Sequence, residues 1–482
     1  MPKDLHVFLK EYEKNHPEDV IHVEKEISTR YEITAMVKAF EKKNQYPILI
    51  FHNVTMEKGK KSPFPVVTNI VATRARAAEG AGVDLSRAAL EVMRKSRKER
   101  KTPVQISRKE APCKEVIKKV PQEMSLFDIP FVRHNALDGG PFFSSGFFTV
   151  YDLDTHIDNC ALIRGNIWED DRTGVGIYSP HSTLVFKKYE DRGLDMPAVY
   201  WIGHHPGGII GSQMKQGFPE SHYESMGGML GEPLRVVPSE TLGDDFLVPA
   251  DAEFIVEGYL PAMKRAPEGP FGEYPRYYGP QRWNPYMKVT CITHRKDAYF
   301  HDLTPGAPEH YLTGCFGIEA VLFENVKKAV PGLKNVYMPV SGCCRFHAYL
   351  QIAKQKAADG REAILAALLS DPRIKHVISV DDDIDLFDER EVLWAVATRT
   401  QWDQDVIIIP NLTGGLRDPS AGDPKSAKGG IDATKPLAKD MIFPYEIKSP
   451  IDVVKKINPN TLADYIPREK LEKVPVPKSG EI

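Results

Sequence analysis

The sequence of 482 residues is short of the features that mark several common protein classes. It has only six cysteines and no CxxC pair, which excludes a disulfide framework and favours reduced, buried thiols. Its 63 basic and 66 acidic residues give a net charge of −3, so it has no electrostatic footprint for nucleic acid or an anionic membrane. No apolar run reaches the ~20 residues that span a bilayer, and the charged N-terminus lacks the apolar core of a signal peptide. We therefore expect a cytoplasmic protein.

Four motifs of common enzyme classes are also missing. The sequence contains no GxGxxG that opens a helix, no GxxxxGK[ST] loop, no HExxH and no GxSxG. Their absence argues against dinucleotide enzymes, P-loop enzymes, zinc peptidases of the HExxH type and α/β-hydrolases. The length predicts about two to four domains.

The pattern of apolar residues changes twice along the chain. The first region is mixed α/β, and the region 141–300 is rich in Gly, Pro and aromatic residues with short β-type runs, which predicts a barrel or sandwich of antiparallel strands. The N-terminal elements that the spacing predicts are a helix that buries Leu5, Phe8, Leu9 and Tyr12, helices over 33–43 and 66–83, and a buried strand over 46–54.

After residue 300 the pattern predicts an α/β region. Asp388 and Glu391 form a capping box ahead of a helix. Short β-branched runs on either side of this helix are typical of parallel strands that are buried on both faces, so we expect a βαβ unit. The predicted elements are helices over 317–332 and 360–370, strands over 376–380 and 406–410, and a long polar loop over 413–430.

The stretch EGPFGEYPRYYG, residues 268–279, holds two carboxylates on a backbone rich in turn residues. A shaped loop that fixes Glu268 and Glu273 in place is a candidate acid–base device. The alternative is a surface turn with two solvated charges, and the stretch alone does not decide between them.

A second set of polar residues comes from three separate segments. Asn159, His181 and Glu224 together could hold a divalent cation, and their oxygen donors favour Mg²⁺ or Mn²⁺. Nothing local requires the three to meet, so three unrelated polar residues are the simpler interpretation. Arg164 lies five positions after Asn159, which places the two on opposite faces of a regular strand.

Several segments, in the same order and over nearly the whole chain, resemble the UbiD family of prenylated-flavin decarboxylases. They are DLHVFLKEYEK, GEPLRVV, VPADAEFIVEGYL followed by EGPFGEY and YYG, IEAVLFENVKKAVPG, VDDDIDLFDEREVLWAVATR and KGGIDAT. The resemblance implies a multidomain α/β (α+β) fold whose members form homodimers or homohexamers. The implied parts are an N-terminal α/β domain (1–115), a split β-barrel flavin-binding domain (116–310), a linker helix (311–340) and a C-terminal α/β oligomerisation domain (341–482).

The resemblance implies a catalytic triad of Arg164, Glu268 and Glu273 beside prenylated FMN. In the family, the residue at Glu273 returns a proton to the substrate carbon and the residue at Glu268 tunes it. Arg164 would orient the network and the substrate carboxylate, and it would also lie against the cofactor. The two glutamates keep the family's five-residue separation.

The same resemblance implies a metal site that holds the cofactor phosphate. Asn159, His181 and Glu224 match the family's ligands of Mn²⁺ (or Mg²⁺), and K⁺ often accompanies the site. Ile163 and Lys428 match positions near the cofactor, and Lys428 is expected to approach the phosphate.

The implied reaction is the reversible, non-oxidative decarboxylation of an aromatic, heteroaromatic or α,β-unsaturated acid through a covalent adduct with prenylated FMN. Loss of CO₂ from such an acid leaves a carbanion whose electrons a cofactor must accept, because side chains cannot. A flavin prenyltransferase would supply the cofactor. Phe316 and Ile318 are expected to form an apolar wall of the substrate pocket, and Arg276 either favours an anionic acid or faces water.

Two other functions are alternatives. The chain could be the catalytic-type subunit of a multi-subunit aryl carboxylase, although an intact triad argues against an inactive subunit. It could also be an FMN-binding protein without decarboxylase chemistry, which would carry unmodified FMN.

Overall fold

The computed structural model of the protein describes residues 2–421, 425–437 and 443–474. The chain divides into one unit that ends at Thr434 and a second that begins at Lys435. The domain boundaries predicted at residues 115, 310 and 340 fall inside the first unit, and they stay a prediction. Within the described ranges, no helix combines the length and apolarity needed to cross a membrane.

The N-terminal region is an α/β layer on a four-stranded sheet. Strands β1, β3 and β5 pair in that order, and a later strand, Phe300–His301, pairs with β5. The elements are α1 (Leu5–Asn15), β1 (Val20–Val23), β2 (Ile27–Ser28), α2 (Glu32–Glu41), β3 (Ile48–Phe51), β4 (Val54–Thr55), β5 (Val66–Thr68), α3 (Arg74–Ala81), α4 (Ala88–Arg97) and β6 (Val104–Gln105).

Sequence spacing predicts α1 correctly and α3 only in part. The four apolar residues of α1 are all buried, and Asp4 begins the helix by accepting a hydrogen bond of 2.7 Å from the backbone N–H of Val7. The helix predicted over 66–83 is wrong at its start. Its β-branched beginning is strand β5, and helix α3 begins only after Thr73, whose side chain accepts from the N–H of Arg76.

The central region is built on a nine-stranded antiparallel sheet, which confirms the antiparallel expectation. Its strand order is β10-β9-β13-β16-β21-β12-β11-β8, and β7 also pairs with β21. The elements are β7 (Val116–Lys119), β8 (Phe142–Phe143), β9 (Phe147–Tyr151), β10 (Asp158–Leu162), β11 (Gly165–Ile167), β12 (Arg172–Val175), α5 (Pro180–Asp191), β13 (Met196–Ile202), α6 (Pro206–Gly211), α7 (His222–Leu230), β14 (Arg235–Pro238), β15 (Leu247–Pro249), β16 (Phe254–Leu260), β17 (Ala266–Glu268), β18 (Phe271–Gly272), β19 (Tyr278–Gly279), β20 (Arg282–Asn284), β21 (Tyr286–His294) and β22 (Phe300–His301).

Aromatic side chains pack on both faces of this sheet. The Phe143 ring stacks on Tyr200 with ring centroids 4.3 Å apart, and the Phe147 ring stacks on Trp201 at 4.4 Å. Because successive residues of a strand point to opposite faces, Tyr200 and Trp201 enter different cores. Strands covered on both faces give the neighbouring β10 and β11 a rigid support.

The C-terminal region of the first unit is an α/β layer on a five-stranded sheet of order β23-β24-β25-β27-β26. Its three inner strands are parallel and its two outer strands are antiparallel to their neighbours. The elements are α8 (Pro308–Leu312), α9 (Cys315–Ala329), β23 (Leu333–Tyr337), β24 (His347–Ile352), α10 (Asp359–Ser370), β25 (His376–Asp381), α11 (Glu389–Arg399), β26 (Val406–Thr413) and β27 (Lys425–Ala433). The second unit contains the short helices α12 (Ile451–Lys456) and α13 (Arg468–Leu471).

The predicted βαβ unit is wrong in its last strand. Strand β26 pairs antiparallel with β27 at the edge of the sheet, and β27 lies between β25 and β26. The predicted loop over 413–430 is also too long, because its last third, from Lys425, belongs to β27. Glycines produced the loop prediction, but they are packing residues: a Cβ at Gly429 would lie 2.5 Å from the carbonyl oxygen of Ile407. Residues 422–424 of that loop lie outside the described residues.

Candidate active site

A buried network joins Arg164 to both glutamates of the EGPFGEY stretch. Arg164 Nε donates to Glu268 Oε1 at 2.7 Å and its Nη2 donates to Oε2 at 2.8 Å, a bidentate pair. Its Nη1 contacts Glu273 Oε1. Glu268 is fully buried and accepts a third hydrogen bond of 2.8 Å from Asn284 Nδ2. The structure therefore brings Arg164, Glu268 and Glu273 together, and Glu268 is not a solvated surface charge.

Two short antiparallel pairs of strands position the glutamates. Glu268 ends β17, which pairs with β20. Gly269 has a φ of 88°, a conformation that favours glycine, and turns the chain away from that pair. A Cβ at Gly279 would lie 2.9 Å from Glu273 Oε1. Glycine at this position therefore leaves room for the Glu273 carboxylate.

The charges within the network stabilise one another. Burial alone would lower the pKa of Arg164, but its hydrogen bonds to Glu268 and the charges of both glutamates hold that pKa above its ordinary value. The guanidinium carbon lies 5.2 Å from the centre of the Phe271 ring and 5.6 Å from that of Tyr178. Arg164 therefore stays positively charged, and its guanidinium lies beside two aromatic rings.

A residue that the sequence analysis does not identify completes the network. Arg417 Nε donates to Glu273 Oε1 at 2.6 Å, and its guanidinium carbon lies 4.3 Å from the centre of the Tyr178 ring. The Tyr178 hydroxyl in turn accepts from Asn284 Nδ2 at 2.7 Å. The only sequence signal for Arg417 is its place in the polar loop after β26. Glu273 is therefore held by two guanidinium groups.

The network forms part of the wall of a cavity of about 540 Å³. Ile163, expected near the cofactor, also lines it. The lining contains more basic than acidic side chains. The basic residues are Arg164, Lys215, Arg345, Arg373 and Arg417, and the acidic residues are Glu273 and Asp371.

The expected metal ligands lie on segments that the structure brings together. Asn159 Nδ2 donates at 2.8 Å to Ser182 Oγ, next to His181 in the first turn of α5. Asp158, the neighbour of Asn159, accepts from the backbone N–H of His222 at 2.8 Å at the start of α7, the helix that carries Glu224. Three segments distant in sequence thus converge at the N-termini of two helices.

The chemistry of these donors fits a divalent cation. They offer an amide oxygen, an imidazole nitrogen and a carboxylate. Burial lowers the pKa of His181, which favours the neutral imidazole that a metal needs. Among the residues that the structure describes, no cluster of three His, Cys, Asp or Glu side chains forms a metal site.

Of the ten predicted site residues, Ile163, Arg164 and Glu273 line this cavity and the others do not. Phe316 and Ile318 lie in the first turn of α9, where each is fully buried in a separate apolar core. Lys428 is buried and donates at 2.9 Å to the carbonyl of Pro372, which does line the cavity. Arg276 is also directed elsewhere, because its Nη2 donates at 3.2 Å to Glu41 and its side chain is 58% exposed.

The fold and this site define an α/β enzyme with an Arg–Glu–Glu network beside a half-barrel sheet. Family models of the 3-octaprenyl-4-hydroxybenzoate carboxy-lyase match its N-terminal domain at residues 13–96, its Rift-related domain at 104–308 and its C-terminal domain at 311–433. The chain therefore belongs to the UbiD family and is a decarboxylase of the carboxy-lyase class.

Proteins similar to this chain include decarboxylases of two kinds. An anhydromevalonate phosphate decarboxylase of Methanothermobacter thermautotrophicus is 31% identical over 87% of this chain and 95% of its own length. A phenolic acid decarboxylase of Sedimentibacter hydroxybenzoicus is 30% identical over 90% of this chain and 92% of its own. The structure of the UbiD-class enzyme HmfF from Pelotomaculum thermopropionicum in complex with FMN has a TM-score of 0.89 at 34% identity, covering 96% of this chain and all of that one. An evolved dimeric form of HmfF was solved with prFMN, prenylated FMN.

Proposed function

We propose that the protein catalyses the reversible, non-oxidative decarboxylation of an aromatic, heteroaromatic or α,β-unsaturated acid with prenylated FMN as its cofactor. The observation that carries the proposal is the cavity wall on which Arg164 binds a fully buried Glu268 and contacts Glu273. A guanidinium beside one fixed and one cavity-facing carboxylate suits carboxylate binding and proton transfer in the same place. The names of the phenolic acid and anhydromevalonate phosphate decarboxylases support acids of these classes.

Each residue of the network has a distinct task in this mechanism. Arg164 binds the substrate carboxylate and orients it against the cavity wall. Glu268 fixes the Arg164 guanidinium through two hydrogen bonds, so that it enters the reaction already oriented. Glu273 lines the cavity and delivers a proton to the substrate carbon. When bound, prenylated FMN supplies the electron acceptor that the side chains cannot provide.

The cofactor phosphate would be held through a cation. Asn159, His181 and Glu224 are the residues that would bind Mn²⁺ (or Mg²⁺), with K⁺ as a second ion. Lys428 would act indirectly, because its ammonium group supports the Pro372 carbonyl on the cavity wall. We further propose a cytoplasmic homodimer or homohexamer that receives its cofactor from a flavin prenyltransferase.

The test begins with the bound cofactor. The chain is expressed anaerobically with a flavin prenyltransferase, and the mass and absorption spectrum of the released ligand are recorded. We expect prenylated FMN, with metal in equal amount, and exchange of ¹³C-bicarbonate into aryl or unsaturated acids. If the released ligand is plain FMN, or if no flavin is released, the alternative of a subunit in a multi-subunit carboxylase is favoured. A search for chains that co-purify with the protein would then test that alternative. The His181→Ala variant should lose metal and cofactor together.

A further inference from the structure

We propose that a second cavity, separate from the active-site cavity, binds a small aromatic acid, and that the bound acid restricts the loop that carries Glu268 and Glu273. The inference goes beyond the proposed function and does not depend on it. The second cavity has a volume of about 490 Å³, and no described residue lines both cavities. A cavity of that size can hold a small organic ligand.

The floor of the second cavity is apolar. Ile129, Phe131 and Ile167 line it and belong to one apolar core of the chain, where each is only 2–4% exposed. Met56 and Phe127 also line it. An aromatic ring that packs on these side chains is removed from water, which favours binding of a ligand with an apolar body.

One cation at this cavity lacks an acidic partner. The Lys58 ammonium nitrogen lies 3.3 Å from the centre of the Phe127 ring. In the parts of the chain that the structure describes, no carboxylate forms an ion pair with Lys58. Because Phe127 belongs to the apolar lining, its contact with Lys58 holds the ammonium group beside the floor. A ligand whose ring lies on the floor can therefore direct a carboxylate to Lys58.

The other charged side chains of the lining already have partners. Lys60 Nζ pairs with Asp128 at 2.5 Å, and Glu57 accepts from an arginine guanidinium at 3.2 Å. Asp170 accepts a hydrogen bond of 2.6 Å from Ser125 Oγ. The charge that is left to select a ligand is therefore a cation, and a carboxylate complements it.

The wall of the second cavity contacts the loop between the two glutamates. The segment 138–141 contributes its last two residues to the lining. The backbone N–H of Gly139 donates at 2.9 Å to the carbonyl of Pro270, and Asp138 Oδ1 accepts from the N–H of Gly272 at 3.0 Å. A ligand that restricts the motion of this segment therefore also restricts the loop.

The experiment uses naphthalene-2-carboxylate as the probe and the flavin-loaded protein. Calorimetry measures its affinity and that of naphthalene-2-carboxamide, which has the same ring but no charge. Both are also titrated into Arg164→Met, because loss of this guanidinium weakens acid binding in the active-site cavity. We expect this variant to retain one site per chain that prefers the acid to the amide by about fivefold, the factor that one exposed ion pair contributes.

Variants then assign the site to the second cavity. Lys58→Glu should weaken binding of the acid by more than about fivefold and leave the affinity for the amide unchanged. Lys61→Glu is the matched control, because it makes the same charge change three residues along the chain, where Lys61 pairs with Glu26 and does not line the cavity. Both lysines are exposed, so both variants should fold.

Hydrogen exchange tests the contact with the loop. In Arg164→Met, the probe should slow the exchange of the backbone amides of Gly139 and Gly272. Addition of Lys58→Glu should abolish this protection. Protection in the presence of both substitutions would mean that the probe acts from the active-site cavity.

Three results would overturn the inference. Equal affinity for the acid and the amide, or an affinity for the acid that Lys58→Glu leaves unchanged, would show that Lys58 does not bind a carboxylate. Tighter binding of the cation 2-(aminomethyl)naphthalene would mean that Asp170 selects the ligand instead. Unchanged exchange at Gly139 and Gly272 would separate the second cavity from the loop. None of these results involves CO₂ exchange, so this failure is distinguishable from a failure of the proposed function.

Discussion

Replacing Glu268 by Gln tests whether the Arg164–Glu268 ion pair holds the network of the active site in place. Glutamine keeps the volume of the side chain, so the substitution leaves no cavity. It removes the charge from the fully buried partner of Arg164 and places an amide N–H₂ where Arg164 or Asn284 already points a donor. The change therefore removes an ion pair and leaves a buried donor unsatisfied.

The burial and the hydrogen bonds of the Arg164–Glu268 pair determine how much stability the substitution costs. Removing one partner of a buried, hydrogen-bonded ion pair costs about 3–5 kcal/mol. Glu273 still contacts Arg164 and compensates in part, so we expect the lower end, about 3 kcal/mol. The Arg164→Met variant should cost a similar amount. The double variant should cost about the same as either single one, which is a coupling energy of about 3 kcal/mol.

Native-state hydrogen exchange of the backbone amides in strands β17 and β20 measures the loss of stability close to Glu268. A loss of about 3 kcal/mol accelerates exchange there by more than about 100-fold. Glu169→Gln is the matched control, because Glu169 also pairs with an arginine, Arg172 of β12 in the central sheet, but both of these side chains are nearly half exposed. Its effect should stay below about 1 kcal/mol. If Glu268→Gln accelerates exchange no more than this control, the pair does not hold the site together.

Three further predictions address proton transfer and pH. Glu273→Gln should lower CO₂ exchange by more than about 100-fold while flavin stays bound; exchange at the wild-type rate would remove Glu273 as the proton donor. Arg417→Met removes one of the two guanidinium groups that hold Glu273, so CO₂ exchange should fall while flavin stays bound, and an unchanged rate would contradict a role for this contact. Burial raises the pKa of Asp251 to about 6, so its contribution to stability is present at low pH and is lost as pH rises through 6. When the pH is lowered from 7 to 5, the free energy of unfolding of the wild type should therefore rise by about 1.4 kcal/mol relative to that of Asp251→Asn. Thermal unfolding at several pH values measures this difference, and stability curves that run parallel for the two proteins would refute the prediction.

Local patterns in the sequence predict elements better than they predict neighbours. The helical spacing of four apolar residues identifies α1, because an amphipathic helix is defined within its own turns. The order of the strands within a sheet does not follow from local patterns. Strand β27 enters between β25 and β26, although it follows both in the chain. No local pattern encodes that insertion, and the glycines of β27 resemble those of a loop until their close contacts are known.

The residues of the site show the same difference between local patterns and contacts that are distant in sequence. The spacing of Glu268 and Glu273 was visible in one short stretch, and their partner Arg164 followed from the family resemblance. Arg417 lies 144 residues from Glu273 in the chain, in a loop with no distinguishing pattern. The misplacement of Phe316 and Ile318 has a related cause. An apolar residue at the start of a helix suits a core as well as a pocket, and here both face cores.

Glu273 is the residue at which the central sheet and the loop after β26 meet. Arg164 and Arg417 both donate to the same atom, Glu273 Oε1. The position of the Glu273 carboxylate therefore depends both on the central sheet and on the loop after β26. Glu268 fixes Arg164 with two hydrogen bonds, but Arg417 has one hydrogen bond to Glu273 and a stacking contact with Tyr178. The Arg164 side of the Glu273 contact is therefore supported by more hydrogen bonds than the Arg417 side.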